Sequence, residues 1–70
     1  MYWIVMADKY WYKFDDIDDA KKQYNYIYDN KDGKYKNIDK LRLLEYNEFK
    51  MQKTLRIWIR PQEEEMEYEK

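Results

Sequence analysis

The chain opens with an apolar run from Tyr2 to Ala7, rich in aromatic and β-branched residues, and resumes at Tyr10-Trp11-Tyr12-Lys13-Phe14 after only Asp8-Lys9. Two such runs around a short polar break predict a β-hairpin. Its register stays open: a two-residue loop pairs Ala7 with Tyr10, and a three-residue loop pairs Met6 with Tyr10. The period then changes. Ile17, Ala20, Tyr24, Ile27 and Tyr28 recur at helical spacing, with Asp18, Lys22 and Gln23 on the other side. This predicts an amphipathic helix over residues 16–29. Asp15 and Asp16 supply N-cap oxygens, and Asp18 and Asp19 place negative charge in the first turn, where the helix dipole favours it. Asn30-Lys31-Asp32-Gly33 reads as the C-terminal stop.

After a polar connector, Lys34 to Asn37, the segments Leu41–Tyr46 and Thr54–Arg60 predict a second hairpin. Leu55, Ile57 and Ile59 alternate with Arg56, Trp58 and Arg60. That period of two predicts the three aliphatic residues on the core side and the Arg-Trp-Arg row on the opposite face. The alternative for residues 38–52 is a second helix, because leucine, arginine, glutamate and lysine are good helix formers. On a helical wheel, however, Ile38, Leu41, Leu43, Leu44, Tyr46, Phe49 and Met51 scatter around the axis, which favours a strand. The switch from Leu41 and Leu43 to Leu44 and Tyr46 would mark a bulge. The expected architecture is an α+β fold of order ββαββ, a four-stranded, largely antiparallel sheet with one helix packed on one face. It fills residues 1–61, and Pro61 opens an acidic segment, residues 62–70, expected to be a mobile tail.

Seventy residues make one domain. Aromatic residues are 20% of the chain, nine of them tyrosine, and such a content predicts a folded chain rather than a disordered one. No run is long enough to span a bilayer, and Asp8 interrupts the first apolar stretch too soon for a secretory signal. A cytoplasmic protein without membrane contact is expected. There is no cysteine and no histidine, so disulfides, thiolate zinc sites, imidazole bases and thiol or Ser-His nucleophiles are excluded. Asp15, Asp16, Asp18 and Asp19 lack the glycine and distal glutamate of a calcium loop and are read as caps, so no metal is expected. Gly33 stands alone, which leaves no phosphate-cradling loop. No cofactor is expected, and no enzyme; an enzyme completed by a second subunit is a distant third reading.

The net charge of −1 conceals a division. Residues 1–30 carry net −2, residues 31–60 net +5 and residues 61–70 net −4. A basic second half points to an anionic partner, or to the acidic segment as its screen. The candidate partner-binding residues are Trp11, Arg42, Arg56, Trp58 and Arg60. Trp11 points away from Tyr10, Tyr12 and Phe14 in either register, and an Arg-Trp-Arg row on an open sheet matches the residue types that dominate protein interfaces. The same row can stack and clamp nucleobases. A plainer alternative has Trp58 stacked on its neighbouring arginines, with no partner at all.

In size, and in its richness in lysine, asparagine and tyrosine, the chain resembles the small accessory proteins that bacteriophages of AT-rich hosts carry. The likeness is one of general character, and no residue role follows from it. It implies a non-catalytic inhibitor or adaptor that blocks a functional surface of a larger host or defence protein. The second reading is a single-stranded nucleic-acid-binding protein, with Lys34, Lys36 and Lys40 tracking the backbone. A homodimer is a further option for so small a chain. From this reading Ile57→Asp should unfold the domain, and Trp58→Ala should spare folding and abolish binding.

Overall fold

The structure, a computed structural model, describes residues 1–61; the expected tail lies outside the described residues. Five elements follow one another: β1 (Tyr2–Ala7), β2 (Tyr10–Phe14), α1 (Ile17–Asp29), β3 (Lys40–Tyr46) and β4 (Gln52–Ile59). The four strands form one antiparallel sheet in the order β2-β1-β3-β4, so the chain is the expected ββαββ fold. Residues 40–46 are strand, not helix.

The first hairpin adopts the two-residue loop, with Ala7 opposite Tyr10. Asp8 makes this turn and also joins it to β3. It takes φ 53°, a left-handed conformation that aspartate tolerates better than most residues. Its carboxylate oxygens accept the backbone N–H groups of Asp39, at 2.8 Å, and Lys40, at 3.1 Å. The second hairpin closes similarly on Asn47, whose side-chain oxygen accepts from the N–H groups of Phe49 and Met51.

Helix α1 begins as expected, with the Asp16 carboxylate accepting from Asp18 N–H at 2.8 Å and Asp18 and Asp19 in its first turn. It also stops where the Asn30–Gly33 turn places its end, at Asp29. Asn30 is the C-cap and its side-chain amide donates to Tyr26 O at 2.7 Å, whereas Gly33 does not have a positive φ and plays no capping part. Ala20, Tyr24 and Ile27 are the buried positions of the helix, and they close a core with Val5, Ala7, Ile38, Leu41 and Leu43. No helix among the described residues is long and apolar enough to cross a membrane.

Strand register sorts the sheet into rows, and the members of a row project from the same face. Tyr10–Ala7–Leu41–Trp58 and Tyr12–Val5–Leu43–Arg56 face α1. Trp11–Met6–Arg42–Ile57 and Lys13–Ile4–Leu44–Thr54 project from the opposite side, as do Tyr2–Tyr46–Gln52 and Lys40–Ile59. The register shifts between Leu43 and Leu44, where the sequence places a bulge, and the extra residue stands on β4: Leu43 pairs with Arg56 and Leu44 with Thr54, which leaves Leu55 unpaired with either.

Candidate functional site

That bulge corrects the expected orientation of the last strand. Beyond Leu55 the strand turns Arg56 and Trp58 toward the helix and leaves Ile57 and Ile59 on the uncovered face, 53% and 58% exposed. The reason is reach. Helix α1 lies over β1, β2 and β3, leaving β4 beyond its flank, and only long side chains can cross from there to the helix. Arg56 donates from Nη1 to the Asn25 side chain at 3.2 Å and lies over the Tyr24 ring, 5.8 Å from its centroid. The Trp58 ring meets Tyr28 edge to face, at 6.2 Å between centroids. Leu55 and Trp58 both pack against the core.

Arg60 is occupied as well. Its Nε donates to Ile38 O at 2.8 Å, and its Nη2 donates to Lys31 O at 2.8 Å and Tyr35 O at 3.4 Å. Asp32 pairs with it at 3.5 Å, and its guanidinium lies 4.9 Å from the Trp58 ring centroid. One arginine therefore ties the loop after α1 to the end of β4. Of the expected row, Trp58 stacks on Arg60 and all three members lie on the helix side.

The other two candidates lie on the open face. Trp11 is 61% exposed and sits opposite Met6; Arg42 is half-buried in the same row and donates from Nη2 to Met6 Sδ at 3.4 Å. Among the described residues no carboxylate pairs with Arg42. The strand residues of this face include three charged ones, Lys13, Lys40 and Arg42, all cationic. Leu44 at its centre is only 1% exposed, and Ile4 and Met6 beside it are half-buried. At one end Tyr2 and Tyr46 stack at 5.1 Å, with Lys13 4.7 Å from the centroid of the Tyr2 ring. The exposure of Ile57 and Ile59 is not legible in the sequence, because the pattern marks a bulge at Leu43 and Leu44 but not that its extra residue, Leu55, lies on β4.

A hollow of about 310 Å³ opens between β2 and the loop after α1, lined by Tyr10, Tyr12, Lys34, Tyr35, Asn37 and Ile38. Lys34 donates to the Tyr26 hydroxyl at 3.4 Å, and this hydrogen bond is the main cause that raises its pKa above the ordinary lysine value. An amine serving as general base or nucleophile needs the opposite shift. Among the described residues no three potential metal-ligating side chains gather.

Comparison with family models, curated proteins and solved structures gives no match.

Proposed function

We propose that this protein is a non-catalytic binding module that docks on a larger protein through the face of its sheet turned away from α1. The observation that carries this reading is the composition of that face. Trp11, Ile57 and Ile59 stand exposed on it, beside a half-buried arginine, with no described element covering them. Tryptophan and arginine surrounded by apolar contacts are the residue types on which interface energy concentrates. Exposed tryptophan and isoleucine gathered on one uncovered face of so small a domain are a feature of docking surfaces. In the cell such a module would act as an inhibitor or adaptor, in keeping with the character of its composition.

The nucleic-acid reading loses support, since Arg56, Trp58 and Arg60, which were to clamp the bases, are engaged on the helix side. Affinity capture from a bacterial lysate separates the two. The full chain is compared with Trp11→Ser and Ile57→Ser, and with Lys22→Ala on the exposed side of α1 as control. A stoichiometric protein partner held by the parent and the control, lost from both face variants and insensitive to nuclease, is expected. A partner retained by the face variants contradicts the docking reading, and a complex that dissolves on nuclease treatment restores the nucleic-acid one.

A further inference from the structure

The open face carries exposed apolar residues on its two outer strands, Trp11 on β2 and Ile57 and Ile59 on β4, and half-buried residues, Ile4, Met6 and Arg42, on the inner strands between them. Three strand spacings of about 4.8 Å separate the outer strands by about 14 Å. An α-helix with its side chains is about 10 Å across. A helix lying along the strands therefore fits between the exposed residues of the two outer strands. The other face of this sheet already holds one, α1, through a stripe of Ala20, Tyr24 and Ile27.

Charge selects among helices. Each charged strand residue of the face is a cation, and Arg42 on β3 has a thioether as its polar neighbour among the described residues. A carboxylate arriving over Met6 would satisfy that half-buried guanidinium. A second copy of the same face would instead set Lys13, Lys40 and Arg42 against their own kind, which disfavours self-docking. We infer that the occupant of the open face is an amphipathic α-helix of the partner, with an apolar stripe flanked by carboxylates. This inference rests on the docking reading and specifies what docks.

The test uses the full chain and three labelled synthetic peptides of about 18 residues, five helical turns. One carries a leucine stripe with glutamate flanks, one the same stripe with lysine flanks, and one is the glutamate peptide broken by two central prolines. Fluorescence anisotropy at low salt should show the glutamate helix binding, the lysine helix not binding and the proline-broken peptide at least tenfold weaker. Arg42→Glu should weaken binding tenfold or more; Lys40→Glu, at an exposed position, should weaken it severalfold and guards against a misfolded Arg42 variant. Equal binding of the two helices overturns the inference, and so does equal binding of the proline-broken peptide, which would point to an extended segment. So does a dimer in light scattering that Ile57→Ser abolishes, since the occupant is then a second copy. If lysate capture depends on Trp11 and Ile57 while no peptide binds, the docking reading stands and the acidic helix is wrong.

Discussion

Single residues settle the ends of the elements, and they do so by hydrogen bonds that span the chain. Asp8 takes a left-handed turn conformation and its carboxylate fastens the turn to the first residue of β3, Lys40, 32 positions away. Arg60 gathers the carbonyls of Lys31, Tyr35 and Ile38 around one guanidinium. Neither role is legible in the sequence, since an aspartate in a turn and an arginine after a strand both read as solvated charge. The aspartate cap of α1 is legible because its partner is two residues away. Gly33 teaches the reverse lesson: it looks like a helix stop, yet Asn30 makes the cap and Gly33 needs no glycine conformation. A methyl group there would meet nothing within 4 Å. Gly33→Ala should therefore stabilise the protein by about 0.4–1 kcal/mol by restricting the unfolded chain, measured as a higher urea midpoint.

At the scale of elements, strands and helix follow from local pattern: β1, β2 and α1 start and stop within a residue of where the apolar runs place them. The facing of β4 does not. Leu55, Ile57 and Ile59 look like a core-facing set, and only the extra residue at Leu55, together with the position of α1 over the other three strands, turns Trp58 inward instead. The stability expectations reverse accordingly. Trp58→Ala removes the contacts with Tyr28 and Arg60 and should cost about 2–3 kcal/mol in chemical denaturation. Ile57→Asp, at an exposed site, should leave the domain folded and cost no more than about 1 kcal/mol. The side of Trp11 is legible because it points away from Tyr10, Tyr12 and Phe14 in either register, and that of Arg42 because it alternates with Leu41 and Leu43 in β3 before the register shift.

The whole molecule is a one-sided sandwich, with phenol rings packed on its helical side and, on the other, an open face of apolar residues and three cations. Its alkaline limit follows from the first of these. Burial pushes the Tyr24 hydroxyl above the ordinary tyrosine value of 10.0, against a smaller opposing effect from the Arg56 guanidinium. Tyr35 is raised too, by burial and then by the neighbouring Tyr12. The folded state thus holds these protons more tightly than the unfolded chain. Their contribution is complete below pH 10 and is lost as pH rises through the folded-state values. Urea midpoints should be level with respect to these groups up to about pH 9 and fall beyond pH 10, and Tyr24→Phe should make that fall shallower.

The open face carries the functional claim. Chemical-shift mapping of the isotope-labelled protein, titrated with the partner recovered by capture, tests it most directly. Perturbations concentrated on Trp11, Arg42, Ile57 and Ile59, with Tyr24, Trp58 and the Arg60 loop left quiet, are expected. Perturbations centred on the helical side, with Trp11 and Ile57 unmoved, would contradict it.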